Sequence, residues 1–205
     1  RTAPGGFVYV PAPGEAPPAV EEIGGKGHHL ARLATLGSRP GATFEVPRFI
    51  VVRARAFDEH VRRDRPWPRD AAEAERWASE VRALDLPETL RAEVMSALAA
   101  CGPGPTLLAV RSSAAGEDSR TKSFAGQFDT ILGVPLGPGA EAAWCDALRA
   151  VWASAFNAHA AAYGAPGASD TAGVRMAVVF QQMVDPFSSG VAFSGSADLS
   201  CPLLI

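Results

Sequence analysis

A lysine follows two glycines in the segment GGKG, which spans residues 24–27. Glycines let the backbone approach a ligand closely, and the amides at the start of a following helix favour an anion there. Lys26 adds a compact positive charge, so phosphate binding is the chemistry that this segment predicts. The segment lacks the full G-x-x-x-x-G-K-[ST] spacing, and a plain turn into a helix is the alternative interpretation.

Arg111 is the second candidate phosphate ligand, because it stands where a predicted apolar strand, LLAV, ends. Its planar guanidinium presents a fork of donors that matches phosphate oxygens. Two hydroxyls follow it in VRSSA, and the acids Glu117 and Asp118 come shortly afterwards. A structural pair between Arg111 and a carboxylate is therefore the alternative.

The segment SFAGQFDT combines small residues with aromatic ones. Ser123, Ala125 and Gly126 leave the backbone amides free to wrap a phosphate, and Phe124 can cover the ligand from water. Thr130 adds a hydroxyl at the end of the segment. An ordinary hairpin loop would have the same composition.

The apolar strand predicted in VVFQQMV ends in Gln181, Gln182, Met183 and Val184, ahead of an Asp-Pro pair. A purine ring needs flat apolar cover together with backbone donors and acceptors at its edge. The segment can supply both, so it is the candidate adenine site. A strand at the edge of a sheet would give the same pattern.

These residues must be positioned by a mixture of strands and helices. Apolar, β-branched runs predict strands at residues 7–10, 49–52, 107–110, 128–134, 176–183 and 190–194. Apolar residues at helical spacing predict helices at residues 26–37, 56–63, 71–84, 87–101 and 141–163. The mixture favours an α+β fold or an α/β sandwich.

Composition limits the classes of function. With 205 residues and a net charge of -3, the chain has no basic field for nucleic acid or an anionic membrane, so neither partner is expected. The three cysteines are widely separated, which predicts neither a disulfide framework nor a zinc site and favours a reducing cytoplasm. His28 and His29 are adjacent, so on a helix they point about 100 degrees apart and do not clasp a metal.

The order of the candidate segments carries a resemblance. GGKG, VRSSAAGED, SFAGQFDT, QQMV and SGVAF follow one another within residues 23–194 as they do in the pyruvate phosphate dikinase and phosphoenolpyruvate synthase family. That family includes rifampicin phosphotransferases and glucan, water dikinases. The resemblance implies that the chain is the N-terminal portion of an ATP-grasp nucleotide-binding domain, in which two lobes clamp ATP.

The resemblance also implies roles for the candidate residues. Lys26 and Arg111 would hold the phosphates and offset the charge that develops on the transferred group. The nucleotide contacts that it implies, through a flexible phosphate lid and an adenine hinge, are Ser123, Phe124, Ala125, Gly126, Thr130, Gln181, Met183 and Val184.

The implied organisation has three parts. Residues 1–22 form a loop-rich start, residues 23–110 a first segment with a helical insert at 56–102, and residues 111–205 the phosphate loop, long helix and hinge strands.

The implied chemistry is of the dikinase type. ATP phosphorylates a histidine on a separate swivelling domain, and that histidine passes phosphate to pyruvate, water, a polysaccharide or an antibiotic. The Mg²⁺ ligands and the phosphohistidine domain are expected downstream of this chain, which alone is expected not to turn over ATP. A non-catalytic nucleotide-binding or interaction module is the competing hypothesis.

Overall fold

The computed structural model describes residues 6–63, 67–101, 106–115, 118–119, 122–123, 128–156 and 174–190. Its strands are β1 (Val8–Tyr9), β2 (Phe49–Val52), β3 (Thr106–Ala114), β4 (Asp118–Ser119), β5 (Lys122–Ser123), β6 (Thr130–Leu136) and β7 (Met176–Gln182). Its α-helices are α1 (Val20–Gly37), α2 (Ala54–Phe57), α3 (Ala71–Arg82), α4 (Glu88–Ala99) and α5 (Glu141–Ser154), with one π-helical turn at Asp58–Arg62. Helices combined with antiparallel strands confirm the predicted α+β class.

Five strands form one antiparallel sheet in the order β1-β2-β7-β3-β6, and β4 pairs with β5 in a separate hairpin. The last of the five in sequence, β7, therefore lies at the centre of the sheet, between β2 and β3. Its run Val178–Phe180 is fully buried, as a strand covered on both faces requires. The edge-strand interpretation of VVFQQMV is wrong.

The two faces of the sheet bury different sets of residues, because successive side chains on a strand point to opposite faces. Met176, Val178 and Phe180 of β7 belong to the large core that α3, α4 and α5 cover. The alternate residues Ala177 and Val179 belong to a smaller core beneath α1. All four tryptophans pack in or against the large core: Trp67, Trp77, Trp144 and Trp152.

Several element boundaries differ from the sequence predictions. The first helix begins at Val20, before the glycines, although it ends at Gly37 as predicted. The strand β3 continues to Ala114 and contains Arg111, which was predicted to follow it. The helix predicted to reach residue 163 is described as far as Ser154, and residues 157–163 and 191–194 lie outside the described part of the chain.

The helical segment between β2 and β3 contains α2, the π-helical turn, α3 and α4. Leu90, Val94 and Leu98 form the apolar face of α4, which is buried in the large core. These helices thus supply much of the cover for one face of the sheet. Within the described residues, no helix is both long enough and apolar enough to cross a bilayer.

Candidate functional site

The N-terminal part of α1 lies very close to β3, and Gly24 makes this approach possible. Gly24 has φ 70 and ψ 172, which interrupts the helix after its first turn. A Cβ atom at this position would lie 2.0 Å from the carbonyl oxygen of Ser113. Only glycine tolerates both this dihedral angle and this contact without strain. Gly24 therefore allows α1 to pack directly against β3, in addition to interrupting the helix.

Lys26 lies on this interrupted part of α1, beside the strand that carries Arg111. Its Nζ donates to the Oγ of Ser112 at 3.5 Å, the long end of the hydrogen-bond range. The Lys26 side chain is half-buried, whereas Ser112 is fully buried. The fold thereby brings Lys26 next to the residue that follows Arg111, although they are far apart in the sequence.

Arg111 lies inside β3, paired with Thr130 of β6 on one side and with Val179 of β7 on the other. Its Nη1 donates to the Oε1 of Gln181 at 3.3 Å. Among the described side chains, its hydrogen-bond partner is thus an amide, which leaves the guanidinium charge uncompensated by that contact. The carboxylates named as alternatives, Glu117 and Asp118, have side chains outside the described set.

Thr130 begins β6 directly opposite Arg111 and is exposed. The preceding residue is held from the other side of the sheet, because the backbone N–H of Asp129 donates to the Oγ of buried Ser154 at 3.2 Å. The start of β6 is therefore fixed by α5 while its hydroxyl side chain stays accessible. Arg111, Thr130 and Gln181 form one polar group on three adjacent strands.

An exposed apolar surface continues from this polar group along the sheet. Leu107 is 51% exposed and lies on the same face as Arg111, four residues away on β3. Leu132 of β6 is 64% exposed, and Met183 is 36% exposed. The four-residue step from Leu107 to Arg111 spans about 13 Å. The open face thus offers apolar cover at one end and the Arg111 guanidinium at the other, where Lys26 contacts the adjacent residue of β3.

Met183 is tied into this surface from two directions. Its backbone N–H donates to the carbonyl oxygen of Leu107 at 2.8 Å. Its Sδ accepts from the backbone N–H of Gly133 at 3.3 Å. Val184 is 63% exposed and lines a separate groove of about 480 Å³ with Pro47, Arg48 and Gln182. Of the predicted hinge residues, Gln181 contacts Arg111 and Met183 belongs to the exposed apolar surface, whereas Val184 lines the groove.

The predicted phosphate lid is only partly described. Ser123 lies in β5 of the small hairpin, where its backbone pairs with Asp118. Phe124, Ala125 and Gly126 lie outside the described residues. Their role as nucleotide contacts stays a prediction.

Three residues of this region were missed by the sequence reasoning: Leu107, Ser113 and Leu132. Leu107 belongs to a run that predicts a buried strand, and only the position of α1 leaves alternate residues of that strand uncovered. Ser113 had a usable signal, because it stands two residues after Arg111 and therefore on the same strand face. No sequence signal pointed to Leu132, because a β-bulge shifts the register between β3 and β6 and local sequence does not show which residues then face each other.

A second cavity, of about 360 Å³, lies between the α3–α4 connection and α5. It contains the ion pair of Arg91 and Glu141, whose charged atoms are 3.0 Å apart. Burial raises the pKa of Cys145, which also lines this cavity, so its thiol is protonated at neutral pH.

Within the described ranges, no three His, Cys, Asp or Glu side chains group to hold a metal.

Comparisons with a family model and with individual proteins point to the same family. Residues 20–199 match the family described as "Pyruvate phosphate dikinase, AMP/ATP-binding domain". A rifampicin phosphotransferase from Streptomyces sviceus is 38% identical over 185 residues, which cover 85% of this chain and 21% of the relative. A probable phosphoenolpyruvate synthase from Methanothermobacter thermautotrophicus is 33% identical over 190 residues, covering 83% of this chain and 26% of the relative.

A third relative is named for a different activity. The prodigiosin synthesizing transferase PigC of Serratia marcescens is 31% identical over 173 residues, which cover 84% of this chain and 18% of the relative. The chain thus spans about a fifth to a quarter of these curated relatives. With a family match over most of its length, the chain belongs to the pyruvate phosphate dikinase AMP/ATP-binding domain family.

Proposed function

We propose that ATP binds on the open face of the sheet, between the interrupted start of α1 and the apolar surface of Leu107, Leu132 and Met183. One observation carries the proposal: Arg111 lies on this face opposite Thr130, and Lys26 contacts Ser112, the adjacent residue of β3. Cations at one end and apolar side chains at the other match a triphosphate joined to a purine. The family match to an AMP/ATP-binding domain supports the same ligand.

Lys26 and Arg111 would bind the phosphates in this proposal. The transferred phosphoryl group carries its charge on several oxygens, and catalysis consists mainly of positioning and electrostatic stabilisation. Arg111 suits a bidentate contact, and Lys26 supplies a point charge. The hydrogen bond from Arg111 to Gln181 supports the idea that Gln181 orients the guanidinium before the nucleotide arrives. Thr130 and the lid of Ser123, Phe124, Ala125 and Gly126 would close over the phosphates.

Gln181, Met183 and Val184 would form the adenine hinge at the end of the central strand β7. Since β7 is hydrogen-bonded on both sides, its C-terminal end is a rigid platform for a ring. We propose that this platform belongs to the first lobe of an ATP-grasp domain. A helical insert at residues 56–102 and a second segment at 111–205 complete the proposed organisation, after a loop-rich start at 1–22.

The proposed reaction is ATP-dependent phosphorylation of a carrier histidine on a swivelling domain, which then passes phosphate to an acceptor. Relatives named as a rifampicin phosphotransferase and a probable phosphoenolpyruvate synthase make an antibiotic and pyruvate the first acceptors to test. The described residues do not supply a metal-binding group, so we assign no step to a metal. Mg²⁺ is proposed as the companion of ATP, with ligands elsewhere in the protein.

We propose a cytoplasmic location without a nucleic-acid or membrane partner. The net charge of -3 supports this, because it offers no field for anionic polymers or lipids. The two described cysteines, Cys101 and Cys145, are free and buried, which suits a reducing compartment.

The test is a product analysis with the full-length protein, ATP and Mg²⁺. Pyruvate, rifampicin, a glucan and water alone serve as acceptors, and the nucleotide product is separated as AMP or ADP. The proposal predicts AMP and inorganic phosphate together with an acid-labile phosphohistidine on the protein, because one phosphate of ATP goes to the histidine and the other to water. Binding of ATP with no turnover under every condition would instead support a non-catalytic nucleotide-binding module.

A further inference from the structure

The hydroxyl of Ser113 occupies an unusual position inside α1. In an uninterrupted helix, the N–H of Gly27 would donate to the carbonyl of Ile23, four residues earlier. Gly24 interrupts the helix between them. The Oγ of Ser113 instead accepts from the Gly27 N–H at 2.9 Å and donates to the Ile23 oxygen at 2.8 Å. A side chain from β3 thus replaces the missing helical bond.

The bridge leaves Ser113 little freedom to adopt another arrangement. The residue is fully buried, and its hydroxyl donates in one contact and accepts in the other. Loss of the hydroxyl would leave a buried N–H and a buried carbonyl without this partner, which is costly. The backbone of Gly24 packs directly against the same serine, so the helix cannot move closer to compensate.

Lys26 lies within the five-residue segment that this bridge closes. The bridged groups belong to Ile23 and Gly27, on either side of it. The neighbouring Ser112 contacts the Nζ of Lys26 itself. The tripeptide Arg111-Ser112-Ser113 therefore carries one cation, contacts the second and fixes the backbone on which the second is mounted.

We infer that Ser113 is a positioning residue for ATP binding, which sets the direction of Lys26 by bridging the interruption in α1. The inference rests on the proposed function, because it requires that Lys26 binds the triphosphate. Ser113 itself does not touch the nucleotide. Its contribution to ATP affinity passes through Lys26, and that dependence can be measured.

The first measurement is calorimetric titration of ATP and Mg²⁺ into full-length Ser113→Ala. Loss of a two-sided buried hydrogen bond that orients a ligand group should weaken ATP binding about five- to tenfold. Val94→Ala is the stability control, because Val94 is buried in α4 beneath the opposite face of the sheet. It should lower the unfolding temperature while keeping ATP affinity within about twofold. Should Ser113→Ala fail to fold, Ser113→Cys is the second variant, since it keeps a polar group of similar shape that is somewhat larger and hydrogen-bonds more weakly.

The deciding measurement is a double-mutant cycle with Lys26→Ala. If Ser113 acts through Lys26, adding the Ser113 substitution to Lys26→Ala changes ATP affinity by less than about twofold. Wild-type ATP affinity in Ser113→Ala would overturn the inference. So would an equal loss of ATP affinity when the Ser113 substitution is made in wild type and in Lys26→Ala. Wild-type affinity in Lys26→Ala alone would refute the proposed role of Lys26, and the inference with it. The cycle therefore separates the two failures.

Discussion

At the scale of single residues, the candidate site depends on backbone geometry as much as on charge. Lys26 and Arg111 could be chosen from the sequence because their residue types suit phosphate. Their surroundings could not, because the partner of Arg111, Gln181, is 70 residues away. The role of Gly24 could be predicted only in part. A glycine before a helix predicts a turn, whereas its contact with Ser113 depends on how α1 packs on β3.

Gly24→Ala tests this residue-scale account against a matched control. Gly24 has φ +70 and a Cβ would meet Ser113, whereas Gly41 has φ +83 with nothing within 4 Å. We expect Gly41→Ala to lower the free energy of unfolding by about 1 kcal/mol through its dihedral angle alone. Gly24→Ala adds steric overlap and should cost about 3 kcal/mol or more. Urea unfolding measures both, and equal losses would show that the contact with Ser113 is not tight.

At the scale of elements, the sequence predicted most helices and strands but not their order in the sheet. The segments FIVV and MAVVFQQ are strands because their apolar, β-branched residues fit a buried sheet. Apolar character alone does not decide between a central and an edge strand. That depends on β7 entering between β2 and β3, a long-range pairing that no local pattern encodes. The start of α1 was missed for a similar reason, since Ser113 bridges the glycine interruption.

The candidate site and the large core lie on opposite faces of the sheet, which predicts that a change on the core side affects stability and leaves ATP binding unchanged. Asp70 caps α3, because its Oδ1 accepts from the backbone N–H of Glu73 at 2.8 Å. Asp70→Ala should lower the free energy of unfolding by about 1 kcal/mol. ATP affinity should not change, because α3 covers the face opposite the candidate site.

Asp85→Ala is the control for Asp70→Ala, since it removes an exposed acid near the other end of α3 and should change stability by less than about 0.5 kcal/mol. Thermal unfolding and ATP titration are run on both variants. Weaker ATP binding in Asp70→Ala would contradict the separation of the two faces.

At the scale of the whole molecule, the sheet is covered unequally. Helices α3, α4 and α5 cover one face, whereas α1 covers part of the other and leaves Leu107 and Leu132 exposed. The chain spans only about a fifth of the rifampicin phosphotransferase that it resembles. The open face, with apolar residues beside Arg111, is the surface on which we propose that ATP binds. The α+β class was predictable from the order of elements, but this asymmetry was not.

The most direct test of ATP binding at this face is calorimetric titration of ATP and Mg²⁺ into full-length wild type, Lys26→Ala and Arg111→Ala. Arg91→Ala is the matched control, because Arg91 pairs with Glu141 at the cavity beside α5. Loss of one charge-assisted contact to phosphate should weaken ATP binding at least about tenfold in each site variant. The control should bind as wild type does. Wild-type ATP affinity in both Lys26→Ala and Arg111→Ala would contradict the proposed site.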